Sequence, residues 1–555
     1  MILSVASKKV SFQHVLYDCL FLCAVQLFFV VLYVSHLGFY SDDWTLLAIY
    51  TASPDQSPYG LFKSVYTSIP GAHCCRPGLA AYLSVLYWLY GLNPLGYHIT
   101  NAFVWTLAIV LFYLVIRELG ASRSLALIVP LVYSVLPHYS TDRFWYATFQ
   151  ANLSVALYFL SLFANLKTVQ PNGGPGRFLW ILVALVSMIG SGLAYEMVFP
   201  LFVLNLAIIW YKGRRATPEV RTAAKFQLAS QLTAGVAIFM FKYFRMDRPA
   251  DGGLLERLVH YRYYRNIKAG LHIHFGSYGI ALPLKIFRIL RDYPHFLILV
   301  FGVLLGITVF VYLYRHTTSL VFASSNRTAA WILMALGLLV FVLGYCAYLP
   351  LGDPSFVTTG AGNRTAIAAA IGVAIFFVGA ITFVSSILRF RRLNRLLFCL
   401  MLSLVCAAGF IINNTLASFW VSAYARQREV VADITTKFPS LPQNAHLILD
   451  GVCPYIGPGV VFENLWDLAG SLQVHYRSPV HADVFRPRLT AGEEGLSSYS
   501  YGVTEHHPYG QNLFVYDFGE KRVYKLTDAP TAKRYFAARR NVCPAGSEGA
   551  GVEVF

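Results

Sequence analysis

Two adjacent carboxylates, Asp42 and Asp43, stand in the segment HLGFYSDDWTLL, a few residues after the first long apolar run of the chain. Charged groups near hydrocarbon are costly, so they usually face water and often mark function. Two interpretations of the pair are open. In the first, the aspartates begin a helix, because aspartate is a favourable N-cap and interacts well with the positive helix end. In the second, one carboxylate acts as a general base or ligates a divalent cation, since adjacent like charges raise one pKa.

The composition places this pair in a membrane protein. Of the 555 residues, 57% are hydrophobic and only 13% are charged, and the mean hydropathy is +0.54. Soluble domains carry about 25% charged residues, so a large soluble protein is excluded. The formal net charge of +17 is spread through short loops between apolar runs. That distribution is typical of membrane topology and not of a nucleic-acid-binding surface, so no nucleic acid partner is expected.

Apolar runs near the length of roughly 20 residues that a bilayer requires predict about eleven transmembrane helices. The first run has no small-residue cleavage site after it, so it is expected to be a retained anchor. The predicted spans lie at 18–38, 97–117, 124–140, 148–166, 178–194, 197–211, 224–244, 294–314, 329–350, 366–387 and 397–418.

Basic residues in the short loops predict the orientation. Lys8 and Lys9 precede the first span, and with eleven spans the basic loops at 211–225 and 388–395 fall on the same side. Lysine and arginine in short loops favour the cytoplasmic side. The N-terminus is therefore predicted to be cytoplasmic, and the acidic pair and the C-terminus extracytoplasmic. The membrane would be the inner or plasma membrane of a cell, or the endoplasmic reticulum of a eukaryote.

The chain divides into three predicted regions. Residues 1–96 form the first transmembrane helix and an external catalytic loop with interfacial helices, and residues 97–418 form the other spans. Within the loop, the Tyr- and Trp-rich run at 79–91 is too short to cross and is predicted to lie along the interface. Residues 419–555 are predicted to form a soluble extracytoplasmic domain.

The C-terminal region carries the sequence signals of a small α/β domain. Short apolar runs bounded by turns predict strands, at 446–450, 512–518 and 522–526. Cys453 and Cys543 both fall in this region, where a non-cytoplasmic compartment permits a disulfide between them.

The order of motifs after the first span resembles the GT-C superfamily of membrane glycosyltransferases. The acidic pair is followed by CCRPGLAAYL, which contains Arg76, then by the interfacial helix and a Gly-Tyr-His stretch that ends at His98. The chain looks most like the branch with the protein O-mannosyltransferases and lipid A aminoarabinose transferases. In that branch the first external loop carries catalytic acidic residues and a basic Pro motif follows. This chain departs from the motif at Gly78, where Pro or Leu is commoner.

The resemblance implies a GT-C-like helical fold and a glycosyltransferase. Such an enzyme moves a hexosyl or pentosyl group from a polyprenyl-phosphate donor to a glycan, lipid or protein acceptor at the outer membrane face. The chemistry requires a carboxylate to deprotonate the acceptor hydroxyl and cations to stabilise the departing phosphate. Asp42 and Asp43 are the implied catalytic residues, and Asp42 is favoured as the base because it lies closer to the end of the span. Either aspartate is a candidate ligand for a divalent cation, the one cofactor considered.

Arginine suits the donor phosphate because its planar fork binds two oxygens and keeps its charge. For the arginines near residue 260, snorkelling at headgroup level is an equal alternative. The predicted phosphate-binding residues are Arg76, Arg143, Arg262, Arg265 and Arg364. Further site candidates are His98, Glu196 and Asp353.

Two other functions stay open. A transporter or flippase of lipid-linked glycans would be expected to place charges inside its spans and often to show repeated halves. The charges of this chain gather in loops and no repeat is visible, which favours the enzyme. A polysaccharide polymerase or ligase would place its key residues in a later loop, and the long basic loop at 245–293 is consistent with one.

Overall fold

The computed structural model describes residues 12–68, 75–170, 176–245, 267–316, 326–348, 356–388, 390–442, 444–485, 489–500, 503–539 and 543. Helices dominate, as the apolar runs predict. They are α1 (Phe12–Val30), α2 (Asp42–Ala52), α3 (Pro58–Ser68), α4 (Pro77–Tyr90), α5 (Pro94–Glu118), α6 (Arg123–Val135), α7 (Phe149–Thr168), α8 (Arg177–Ala194), α9 (Phe202–Gly213), α10 (Pro218–Arg245), α11 (Leu282–Asp292), α12 (Phe296–His316), α13 (Asn326–Tyr345), α14 (Ile367–Ser385), α15 (Arg391–Lys437), α16 (Leu465–Tyr476) and α17 (Ala529–Ala538).

The protein is an integral membrane protein with many helical spans. Within the described residues, eight helices are long and apolar enough to cross a bilayer, and the pair formed by α6 and the 3₁₀ helix Pro137–Arg143, bent by 66°, makes up to nine. Two of the predicted spans are not among these helices. The run at 197–211 lies in a shorter apolar helix, Phe199–Gly213. The run at 224–244 lies in α10, whose first half is interrupted by lysine, glutamine and serine side chains.

The longest helix joins the membrane bundle to the C-terminal region. Helix α15 has 47 residues and continues past the predicted boundary at residue 418 without a break. Beyond that point, residues three or four apart are buried, which is the spacing of one helix face. These buried residues are Trp420, Ala423, Gln427, Val430 and Ile434. The same helix therefore crosses the bilayer and packs against the C-terminal region that follows it.

The C-terminal region is a small α/β unit, as predicted. Its main sheet has the order β4-β1-β8-β9, in which β1 runs parallel to β4 and β8, and β9 is antiparallel. A three-stranded antiparallel sheet and a two-stranded pair complete it. The strands are β1 (His446–Asp450), β2 (Tyr455–Ile456), β3 (Gly459–Val460), β4 (His481–Val484), β5 (Thr490–Ala491), β6 (Gly495–Ser500), β7 (Val503–Pro508), β8 (Leu513–Asp517) and β9 (Arg522–Lys525). The three strands expected from sequence are β1, β8 and β9.

The disulfide permitted by the sequence is present. Cys453 and Cys543 are bonded, with their Cα atoms 5.3 Å apart. The bridge joins the loop after β1 to the chain beyond α17, a sequence separation of 90 residues. A cross-link that closes so long a loop restricts the unfolded chain strongly, which favours the folded domain.

The loop after α1 folds into three short helices with a core of their own. Helices α2 and α4 bury Leu46, Leu47, Leu79 and Leu83 against the aromatic rings of the segment at 146–149. Pro77 at the first position of α4 fits a helix start, since proline lacks the N–H that would be unpaired there. The predicted run at 79–91 is thus a helix, and the acidic pair is held on a packed element.

Candidate active site

The two aspartates have different surroundings in the first turn of α2. Asp43 is fully buried, and its two oxygens accept the backbone N–H groups of Tyr40 and Ala147, each at 2.8 Å. Carboxylates that accept backbone N–H groups at a helix start satisfy donors that would otherwise be unpaired. Asp43 therefore fastens the entry of α2 to the segment at 146–149, which agrees with the structural interpretation of the pair.

Asp42 is half-buried, and only one of its oxygens is engaged. Oδ1 accepts the indole N–H of Trp466 at 3.0 Å, and Oδ2 accepts no hydrogen bond from the described residues. Burial raises the pKa of this carboxyl above its ordinary value, while Arg364 opposes the rise, Glu463 adds to it and the Trp466 hydrogen bond opposes it. A carboxylate with a raised pKa and a free oxygen is suited to accept a proton.

Glu463 of the C-terminal region faces the start of α2. Its Oε1 accepts the hydroxyl of Ser41 at 2.7 Å, and its Oε2 accepts the hydroxyl of Tyr455. Ser41 has a φ of 47°, a left-handed conformation that costs energy for any residue except glycine. The hydrogen bond from Ser41 to Glu463 stabilises this backbone conformation. The C-terminal region therefore fixes the backbone directly before Asp42.

A cation with unused donors lies beside Asp42. The guanidinium of Arg364 stacks over the ring of Trp145, 4.8 Å from its centroid, and stabilises the charged form of Asp42. Within the described part of the chain, Arg364 has no hydrogen bond or ion pair. The preceding Asn363 is anchored, because its amide donates to the carbonyl of Thr358 at 2.7 Å. Arg364 is thus a positioned cation whose N–H groups can reach a ligand.

A further carboxylate, Asp142, lies near Arg364 and belongs to no motif of the sequence. It lies in the 3₁₀ helix after α6, is fully buried, and neither carboxylate oxygen has a hydrogen bond of ordinary length. Arg364 interacts with it electrostatically as well as with Asp42. Its backbone carbonyl accepts the amides of Asn101 and Asn152, at 3.0 and 2.7 Å. Only its place in a short loop between apolar runs could have drawn attention to it.

Arg76 is paired with another predicted site residue. Its Nε donates to Oε2 of Glu196 at 3.0 Å and its Nη2 donates to Oε1, while Lys242 donates to the same carboxylate at 2.9 Å. Burial would raise the pKa of Glu196, but Arg76 and Lys242 outweigh it and hold that pKa well below its usual range. Two cations share one carboxylate, so the group keeps one net positive charge.

Close packing explains why Gly78 stands where the family motif more commonly has Pro or Leu. A Cβ atom on Gly78 would lie 2.8 Å from the backbone nitrogen of Ala194 and 2.9 Å from the carbonyl carbon of Leu193. Helix α4 therefore begins in backbone contact with the end of α8. This contact brings Arg76 within reach of Glu196, two residues beyond Ala194.

Two further candidates are buried inside the helical bundle. Arg143 is buried, donates to the carbonyl of Ser134, and lies 5.4 Å from the ring of Phe29 and 5.6 Å from that of Trp105. His98 is buried, and its Nε2 pairs with the carbonyl of Gly38 at 3.0 Å. Both residues line a small pocket between α1 and α5. Arg262, Arg265 and Asp353 lie outside the described residues.

The carboxylates of Asp42 and Glu463 interact with each other at the start of α2. In the described ranges, no group of three or more histidine, cysteine, aspartate or glutamate side chains is arranged to hold a metal ion. Hydrogen bonds occupy both oxygens of Glu463 and Oδ1 of Asp42, so this pair does not form a cation site.

Comparison with known proteins gives structural neighbours and no sequence relatives. No protein-family model and no curated protein sequence matches the chain. Nine solved chains are similar in structure. ArnT from Cupriavidus metallidurans in the apo state has a TM-score of 0.38 and 14% identity, over 83% of this chain and 85% of that one. The same protein bound to undecaprenyl phosphate has a TM-score of 0.37 and 14% identity, over 85% and 86%.

The oligosaccharyltransferase of Archaeoglobus fulgidus, tethered to an acceptor peptide containing the NVT sequon, is also similar. Its TM-score is 0.37 and its identity 12%, over 85% of this chain and 64% of that one. Similarities at this level assign no role to any residue of this chain.

Proposed function

We propose that this protein is a membrane glycosyltransferase that moves a sugar from a polyprenyl-phosphate donor to an acceptor at the extracytoplasmic face. The observation that carries the proposal is the placement of Asp42 beside Arg364. One is a half-buried carboxylate with a free oxygen, and the other is a positioned arginine with unused donors. A base and an anion-binding cation at one end of a membrane bundle are the two groups that this transfer requires.

In the proposed reaction, Asp42 accepts the proton of the acceptor hydroxyl through Oδ2. The acceptor oxygen forms a bond to the anomeric carbon of the sugar, and the bond from that carbon to the phosphate oxygen breaks. The electron pair of the broken bond stays on the polyprenyl phosphate, whose negative charge increases. Arg364 donates N–H groups to the phosphate oxygens and stabilises that charge where it develops.

The ion-paired group around Glu196 supplies a second, weaker positive region. Most of the charge-assisted hydrogen bonding of Arg76 is used on Glu196. We therefore assign Arg364, rather than Arg76, the direct contact with the donor phosphate. The net charge of the Arg76, Glu196 and Lys242 group would attract the anionic donor from a distance. We assign Arg143 no direct contact with the phosphate, because it is buried beside aromatic rings.

A divalent cation does not fit the described residues at the start of α2. Hydroxyl groups occupy both oxygens of Glu463, and backbone N–H groups occupy both oxygens of Asp43. The indole of Trp466 occupies Oδ1 of Asp42, and the remaining Oδ2 is assigned to the acceptor hydroxyl. No step of the proposed reaction therefore passes through a metal ion, although magnesium is commonly bound by one or two carboxylates together with substrate phosphates.

One observation bears on the alternative of a transporter. Asp18 is buried in the first span, where charged residues often belong to a transport path. Its carboxylate accepts two N–H groups of Arg123, at 2.8 and 2.7 Å, and the hydroxyls of Tyr113 and Tyr312, at 2.9 and 2.8 Å. A carboxylate with four hydrogen bonds is a fixed cross-link between helices, so it does not favour transport. The polymerase or ligase stays an alternative, because residues 246–266 of the basic loop lie outside the described ranges.

Removal of the proposed base tests the function. Asp42→Asn is expected to lower sugar transfer by about two to four orders of magnitude, the usual loss on removal of a general base. The assay uses purified protein in lipid nanodiscs with polyprenyl-phosphate sugars. Asp55→Asn is the matched control, because Asp55 is an exposed acid in the same loop and the amide oxygen of asparagine can still accept the backbone N–H of Ser57. Equal activity of Asp42→Asn and the wild type would refute the assignment.

A further inference from the structure

Helix α16 of the C-terminal region is in direct contact with the helix that carries the proposed base. The indole N–H of Trp466 donates to Oδ1 of Asp42 at 3.0 Å, and the hydroxyl of Thr45 donates to the carbonyl of Trp466 at 3.2 Å. A Cβ atom on Gly470 would lie 2.7 Å from the backbone carbon and oxygen of Trp44. The two helices are thus held at backbone contact, with Trp466 over the first turn of α2.

The segment that carries Trp466 is fixed independently of Asp42. Asp467 accepts the backbone N–H groups of Glu463 and Asn464, at 2.7 and 3.1 Å, which caps the start of α16. Gln427 of α15 donates to the carbonyls of Val460 and Val461, at 3.0 and 2.8 Å. The indole therefore approaches Asp42 from a rigid support that is anchored on the last long helix.

We infer that Trp466 is a positioning residue for Asp42, supplied by the C-terminal region to the base of the proposed transferase. Its N–H occupies Oδ1, which leaves Oδ2 to face the acceptor hydroxyl. This assignment rests on the proposed function and gives the C-terminal region a defined part in it. Without that contact, rotation of the Asp42 carboxylate would exchange the positions of Oδ1 and Oδ2.

The hydrogen bond also sets the charge state of the base. The groups that face Asp42 are Asp43 on the same helix, Arg364 from the 3₁₀ helix Ala361–Ala366, and Glu463 before α16. The two carboxylates oppose ionisation of Asp42, and Arg364 favours it. Trp466 is a neutral donor, and donation to a carboxylate favours the charged form. Loss of its N–H should therefore leave less ionised base at low pH.

The substitution Trp466→Phe tests this inference, since it keeps an aromatic ring and removes only the donor. The acid limb of the pH profile of kcat is expected to move up by about one pH unit, and kcat below that limb to fall about tenfold. The KM for the donor should stay unchanged. Trp44→Phe is the matched control, because it removes an indole donor from the same interface, one that bonds Gln427 at 3.2 Å. Its acid limb should stay at the wild-type pH.

Two further measurements separate positioning from packing. In an Asp42→Asn background, Trp466→Phe should change the residual rate less than twofold, because the indole would act through the missing carboxylate. Thr45→Val, which releases the carbonyl of Trp466, should move the acid limb in the same direction by a smaller amount, and it tests the inference if Trp466→Phe does not fold.

An unmoved acid limb in Trp466→Phe, or equal shifts in Trp466→Phe and Trp44→Phe, would overturn the inference while the function stands. Absence of sugar transfer by the wild-type protein would instead overturn the proposed function.

Discussion

At the scale of residues, two neighbouring aspartates differ in the hydrogen-bond partners of their carboxylate oxygens. Backbone N–H groups saturate Asp43, whereas Asp42 keeps one oxygen free beside Arg364. The sequence offered a helix cap and a catalytic carboxylate as alternatives for the pair. The contacts of Asp43 agree with the helix-cap role, and the preference for Asp42 as the base stays a proposal.

The substitution Asp43→Asn is expected to affect stability more than chemistry. An amide has one oxygen, so one of the buried N–H groups of Tyr40 and Ala147 would lose its acceptor, at a cost of about 1–3 kcal/mol. Thermal unfolding in detergent should therefore begin at a lower temperature than in the wild type. Activity per folded molecule should exceed that of Asp42→Asn by at least an order of magnitude. An unchanged unfolding temperature together with an activity as low as that of Asp42→Asn would make Asp43 the base.

The two arginines near the proposed site are expected to respond differently to replacement by lysine. Arg364→Lys should raise the KM for the donor about tenfold, because an ammonium cannot match the planar fork on a phosphate. Arg76→Lys is the comparison, since lysine can still neutralise Glu196 and little change of donor KM is expected. Steady-state kinetics with varied donor concentration measure both. The opposite pattern would place the phosphate at the ion-paired group of Arg76.

At the scale of elements, the local patterns predicted well and the contacts between distant segments did not. Long apolar runs identified most helices, and short apolar runs bounded by turns identified β1, β8 and β9. Both signals are local, because each lies within one stretch of the sequence. The path of α15 beyond residue 418 escaped prediction, since a helix that leaves the bilayer loses its apolar character while it keeps one buried face. Trp466 and Glu463 could not be assigned to the site, because only the docking of α16 on α2 brings them there.

The contact between α4 and α8 gives a prediction at this scale. Gly78→Ala would place a methyl group against the backbone of Leu193 and Ala194, which cannot move as a side chain end can. A destabilisation of about 1–3 kcal/mol is expected from such overpacking, measured as the shift of the unfolding transition. Ala81→Ser on the exposed face of α4 is the control and should leave the transition in place. An unshifted transition in Gly78→Ala would show that α4 does not pack closely on α8.

At the scale of the whole molecule, the candidate site lies at one end of a bundle of apolar helices. The buried polar groups within the bundle are largely cross-linked, as Asp18 is by Arg123 and two tyrosines. The loop helices, the start of α14 and the C-terminal region all meet around Asp42. A membrane-anchored donor would meet the proposed base there at the level of its phosphate, which would explain why Asp42 follows the first span so closely.

The most direct test of this account measures the two products of the reaction together. Purified protein in proteoliposomes is supplied with a polyprenyl-phosphate sugar and an acceptor extract, and both the glycosylated acceptor and the free polyprenyl phosphate are quantified by mass spectrometry. We predict that the two products appear in equal amounts, and that both are lost in Asp42→Asn. Movement of the intact lipid-linked sugar across the bilayer, with neither product formed, would contradict this prediction and would identify a transporter.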